Sequence, residues 1–154
     1  MKLDKLLLAV TLAGAAYLGL APALQPDSPS PANRPHATQP QPSQADQALE
    51  NAYQNRARNH QVSGSGTVVK LLADDNAGSR HQRFILKLGS GRTLLISHNI
   101  DLAPRIASLQ VGDLVEFNGE YEWNAKGGVV HWTHHDPQGW HEAGWLKHRD
   151  RVYQ

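Results

Sequence analysis

Six prolines (26, 29, 31, 35, 40 and 42) fall within Gln25–Gln44, and they decide how much of this chain can fold. Each fixes φ and removes a backbone donor, and the Gln, Ser, Ala and Asn residues between them have little to bury. Residues 25–44 are expected to form a disordered, semi-extended linker. Folding is then confined to residues 45–154. A domain of that size buries on the order of 65% of its chain surface, which supports one core and not two.

Ahead of the linker, Lys2 and Lys5 precede Leu6–Leu24, a run of 19 residues without a charge that closes on Ala21-Pro22-Ala23. A charged start, an apolar middle and a small-residue end describe a secretory signal. An uncleaved membrane anchor fits the same run, because its length nearly crosses a bilayer core. Residues 1–24 are therefore expected to be a signal peptide or an N-terminal membrane anchor that engages the export machinery or the membrane. The protein is expected outside the cytoplasm, in the periplasm or beyond it.

The 154 residues include no cysteine. That excludes disulfides, thiolate zinc sites, cysteine nucleophiles and lipid attachment through a cysteine. It does not exclude an oxidising compartment, where a chain without thiols has nothing to oxidise. From residue 46 onward, 12 Lys and Arg stand against 12 Asp and Glu. A strong nucleic-acid binder carries a basic excess, because neutralising phosphates supplies much of its affinity. This domain has no such excess. Histidine is the unusual residue: eight of the nine lie between His60 and His148, so mild acid can add several charges.

Ser43 can cap a short helix over 44–58, with Ala45, Ala48, Leu49, Ala52 and Tyr53 near one face. Five strand-like runs follow. The first, 62–72, carries Gly64 and Gly66 and ends at the turn-forming 74–78. In His81–Leu88, Phe84, Leu86 and Leu88 alternate with Arg83, Ile85 and Lys87, the period of a half-buried strand. Gly89-Ser90-Gly91 turns the chain into a third run, 92–97. Residues 98–109 are rich in structure breakers and are expected to hold a helical turn at 104–108. The fourth and fifth runs are 114–123 and 129–136. The tail, 137–154, has Trp140, Trp145 and Tyr153 but little period, and should pack irregularly across the rest.

The expected fold class is all-β: a small five-stranded OB-like barrel with a short N-terminal helix and an irregular Trp/His-rich C-terminal tail. The two glycines favour a barrel over a flat sandwich. One strand must bend to serve both halves of a small barrel, and a residue without Cβ permits the bend.

Several segments resemble a known family. They are Leu71-Leu72-Ala73-Asp74-Asp75, Arg80-His81-Gln82-Arg83-Phe84, His98-Asn99-Ile100-Asp101-Leu102-Ala103-Pro104, Gly119-Glu120-Tyr121-Glu122-Trp123 and the stretch from Gly127 to Asp136. Together they look like a small family of exported bacterial proteins described as a domain of unknown function, family 3465. The resemblance covers about residues 58–154. It implies an exported protein and brings no activity with it. The layout of 62–120 is more weakly similar to periplasmic bacterial OB-fold proteins, which implies a binding module.

Two clusters can carry chemistry. A hairpin sets the start of its first strand beside the end of its second. His81 and Arg83 should therefore lie near His98, Asn99 and Asp101 and line a polar rim pocket. The plainer alternative makes Asp101 a turn cap and Asn99 a left-handed turn residue. On a regular fifth strand, His134 and Asp136 share a face and can hold a divalent metal such as zinc, given a third ligand from His98, Asp101 or His141. The plainer alternative is a hydrogen-bonded network tying that strand to the tail. Among the four tryptophans, Trp132 should point inward with Val130, while Trp140 and Trp145 are the better candidates for exposure. No glycine-rich phosphate loop, serine elbow or HExxH motif is present.

The expected function is non-enzymatic binding of an oligosaccharide, a peptide or another anionic ligand at His81, Arg83, His98, Asn99 and Asp101, with no cofactor required. A metal-dependent hydrolase, a phosphodiesterase or nuclease using His134, Asp136, His98 and His141, is the alternative. A structural partner in an envelope complex is the third.

Overall fold

The computed structural model describes residues 43–154. The expected leader, 1–24, and linker residues 25–42 lie outside the described residues. Among the described residues seven strands follow one helix: α1 (Gln44–Gln54), β1 (His60–Leu71), β2 (His81–Leu88), β3 (Thr93–Asn99), β4 (Leu114–Glu122), β5 (Val129–His131), β6 (Trp145–His148) and β7 (Arg151–Tyr153). Among the described residues no helix is long and apolar enough to cross a membrane.

The first five strands close on themselves in the order β1-β2-β3-β5-β4-β1, antiparallel except for the parallel pair β3–β5. This is the expected all-β class with a five-stranded OB-like barrel. Its closure rests on β1. Residues 60–67 pair with β4 and 66–71 with β2, so that Gly66 faces Val115 on one side and Leu88 on the other. A bulge between Val68 and Lys70 adds to the bend. Alternation then fills the barrel: Phe84 and Leu86 from β2, Leu94 and Ile96 from β3, Val115, Phe117 and Tyr121 from β4, and Val130 from β5 are all at most 1% exposed.

The helix covers one end of the barrel. Ser43 caps it by accepting the Asp46 amide at 3.1 Å, and Leu49 and Ala52 are its buried residues. It ends before the expected residue 58 because Arg56 turns left-handed (φ 52°) and the Ala57 amide returns to the Ala52 carbonyl at 2.8 Å. Arg92, at the start of the β2–β3 hairpin's second arm, grips Glu50 through two nitrogens at 2.7 and 2.9 Å. Its guanidinium also lies 3.7 Å from the Tyr53 ring centroid, so α1 is fixed to that hairpin.

Three local expectations give way. The expected helical turn at 104–108 shrinks to a turn at 107–108. Instead the Gln82 amide donates to the Ile106 carbonyl (3.0 Å) and accepts the Ile106 amide (2.9 Å), holding that backbone as a strand partner would. The fifth strand stops at His131 rather than at Asp136, because Trp132 takes φ 50° and turns the chain out of the sheet. Trp132 therefore does not follow Val130 into the core and sits half-buried outside it.

That early stop explains the tail. The short β5 covers β4 only at 120–122, which leaves the amides and carbonyls of 115–118 to be satisfied on the same edge. β6 pairs there, Val115 with His148 through Asn118 with Trp145, and β7 pairs with β6. The tail is thus irregular only up to residue 144 and then adds a hairpin that sends Leu146 and Tyr153 into the core.

Candidate functional site

The β2–β3 register sets His81 opposite Asn99, Gln82 opposite His98 and Arg83 opposite Ser97. Opposed residues share a face. Gln82 and His98 point inward, 5% and 0% exposed, while His81, Arg83 and Asn99 point outward. His81 and His98 are therefore neighbours on opposite sides of one sheet. His98 contacts Thr133 Oγ1 (2.8 Å) and the Pro104 carbonyl (3.2 Å), and burial pushes its pKa down to about 4. Its geometry is that of an internal tie.

The outward residues divide. Arg83 donates to the Ala73 carbonyl at 3.1 and 3.2 Å and reaches Asp75 at 3.6 Å, so its guanidinium is committed to the β1–β2 loop. Asp101 accepts both the Arg80 amide and the Arg80 Nε at 2.7 Å, and these bonds hold its carboxyl below the usual range. Asn99 Oδ1 accepts the Asp101 amide at 2.9 Å, which leaves the Asn99 side-chain NH₂ as its donor group. His81 Nδ1 lies 2.8 Å from the Ser79 carbonyl. A carbonyl only accepts, so Nδ1 carries a proton, and in that tautomer Nε2 is the ring's acceptor.

The C-terminal residues also separate. Asp136 is encircled by backbone amides of its own loop, from Gln138 (2.9 Å), Trp140 (2.6 Å) and His141 (3.0 Å), and these depress its pKa. Its oxygens organise the 136–141 turn. His134 is 2% exposed, with Nδ1 on the His135 carbonyl at 2.7 Å. His141 instead faces β4, its Nδ1 donating to Glu120 Oε2 at 3.2 Å. Its ring stacks on Trp132 with centroids 3.8 Å apart and planes at 16°.

Around Trp132 these pieces form a cleft of about 340 Å³ lined by Ser79, His81, Asn99, Leu102, His131, Trp132 and His134. Other depressions are as large, one of about 420 Å³ beside β6 and β7, lined by Glu116, Trp145, Lys147, Val152 and Gln154. Of these two, the first combines an aromatic ring with converging hydrogen-bonding groups and has no Lys, Arg, Asp or Glu in its lining. It retains His81, Asn99 and His134 from the expected sites, and Arg83, His98, Asp101, Asp136 and His141 do not line it.

Sequence reasoning missed His131 and Trp132 as cleft residues, and Glu120 and Glu122 as their neighbours. The available signal was Glu120-Tyr121-Glu122, which places two carboxylates on one strand face by the two-residue period. The register then sets Glu120 directly opposite His131.

No curated protein matches the chain significantly. A family profile does, over residues 35–154, which takes in every element and both clusters described above. The chain thus belongs to the family described as "Protein of unknown function (DUF3465)".

Proposed function

We propose that this is an exported, envelope-facing OB-like binding domain without catalytic activity, and that its cleft takes a neutral oligosaccharide. The observation that carries this reading is Trp132. A bulky residue at φ 50° is strained by roughly 1–2 kcal/mol, and such strain gathers at binding and active sites. Here it holds an indole at a cleft wall, braced on one face by His141 and flanked by His134 at 5.3 Å.

The polar groups fit a sugar. A hydroxyl both donates and accepts, and the cleft pairs an acceptor, His81 Nε2, with a donor, the Asn99 NH₂. The indole supplies an apolar surface for the C–H face of a pyranose ring. Lys and Arg are absent from the lining, so an anionic polymer finds no fixed cation there. The expected anionic ligand thereby loses support, since Arg83 is engaged elsewhere.

Calorimetric titration of the full chain against neutral β-glucan and chitin-type oligomers, with a uronate oligomer alongside, tests this. The neutral oligomers should bind, and His81→Ala should weaken them about five- to tenfold, the loss of one hydrogen bond. Absence of binding at millimolar sugar, or a preference for the uronate oligomer, would overturn the neutral-sugar reading.

A further inference from the structure

The outer wall of the barrel beside the cleft holds a second group. Glu120 and Glu122 project from β4 and His131 from β5, and one ligand atom of each lies within 4.8 Å of the others. His131 Nε2 is buried and has no hydrogen-bond partner. It stands 3.6 Å from Glu120 Oε1, too far for a hydrogen bond.

An orphaned ring nitrogen facing a carboxylate at that separation matches one arrangement closely. Two donors on a tetrahedral ion, each about 2.0–2.2 Å from it, stand about 3.4 Å apart. We infer that Glu120, Glu122 and His131 form a divalent-cation site, suited to a borderline ion of the Zn²⁺ type. One imidazole and two carboxylates are a mixed N/O set that zinc accepts readily.

The surroundings complete the site. His141 Nδ1 donates to Glu120 Oε2 at 3.2 Å and so orients the carboxylate from outside, as outer partners of metal ligands do. Glu122 is also held by the Asn59 amide at 2.8 Å. Its contact with Arg58 is 3.7 Å long, and that side chain is 70% exposed, so it can swing aside. The ion would then connect to the stacked Trp132 through Glu120 and His141, and to the cleft directly through His131, which lines it. This inference does not rest on the sugar-binding reading, because its probe is the metal alone.

The test uses the full chain without a polyhistidine tag, stripped with a chelator and titrated with zinc chloride at neutral pH. One ion per chain should bind with micromolar affinity and raise the melting temperature. Glu120→Gln and His131→Ala should each weaken binding by more than about tenfold, and His141→Gln by about tenfold. His135→Ala, exposed and outside the group, should leave it unchanged. Absence of zinc binding, or wild-type affinity in Glu120→Gln and His131→Ala, overturns the site. Should those variants fail to fold, X-ray absorption on the zinc-loaded wild-type chain decides. A single imidazole among oxygen donors supports the site, and two or more place the ion elsewhere in the histidine-rich tail.

Discussion

His98 and Thr133 meet at 2.8 Å inside the barrel, Nδ1 to Oγ1, and join the end of β3 to the chain that leaves β5. The other ring nitrogen, Nε2, donates to the Pro104 carbonyl at 3.2 Å. Because that carbonyl only accepts, Nε2 holds the proton and Nδ1 accepts from the threonine hydroxyl. The tie works with a neutral ring. Burial opposes charging it, and the backbone contacts at Pro104 and Thr133 offset that only in part, while His134 and His81 add to the lowering.

Stability should therefore fall as pH drops from about 6.5 to about 4. The unfolded chain takes up the His98 proton near 6.5, whereas the folded ring resists until about 4. Within that window the unfolded state binds more protons, so acid favours it. A shift of this size corresponds to about 3 kcal/mol at its lower end and about 2 kcal/mol near pH 5. Carboxylates enter mainly below this window, because their unfolded values lie near 4. Urea denaturation near pH 7 and near pH 5 measures the loss, and His98→Asn should reduce the dependence at a cost in stability, leaving the part that comes from His131, whose pKa burial also lowers. Equal stability at both pH values would mean the folded ring carries its proton.

The bend in β1 makes a second claim. A Cβ at Gly66 would stand 3.0 Å from both Leu86 Cβ and the Lys87 carbonyl oxygen. At Gly64 it would meet Phe117 Cζ at 2.8 Å and Leu49 Cδ1 at 2.9 Å. Gly64→Val and Gly66→Val should each cost about 1–3 kcal/mol in urea unfolding, the range for forcing atoms into a packed interior. Gly66→Val should be the worse of the two. Its obstacle includes β2 backbone, while at Gly64 the nearest atoms are the outer ends of the Phe117 and Leu49 side chains. Tolerance of both changes would separate the closed barrel from the chain in solution.

These glycines also show why the barrel was legible in the sequence and much of the site was not. Gly64, Gly66 and the two-residue alternation of His81–Leu88 are local signals, and a local signal survives without knowledge of the partner strand. The left-handed turn at Trp132 has no such signature, since tryptophan is not a residue that marks positive φ. Extending the fifth strand past that point put His134 and Asp136 on one regular face and the tail into irregular structure. The true end of β5 instead frees the β4 edge for β6. The pairing of Glu120 with His131 depends on a register between two strands, which no single stretch of sequence encodes. The inward turn of His98 was readable in principle, because it faces Gln82 once the hairpin register is fixed.

Trp132 offers the sharpest separation of folding from binding. Its backbone sits at φ 50°, its ring is half-buried, and its face is stacked on His141. Replacing it with alanine removes the packing but keeps a Cβ in the left-handed conformation. Replacing it with glycine removes the same packing and also relieves the backbone, by about 1 kcal/mol. Trp132→Gly should therefore unfold at higher urea than Trp132→Ala, even though glycine costs more chain entropy in an ordinary position. Both variants should lose oligosaccharide binding to the same extent, because both lack the indole. If Trp132→Ala proves the more stable, residue 132 is not left-handed in solution and the strain argument for the cleft fails. If the order holds but sugar binding persists in both, the conformation is real and the ligand sits elsewhere on the barrel.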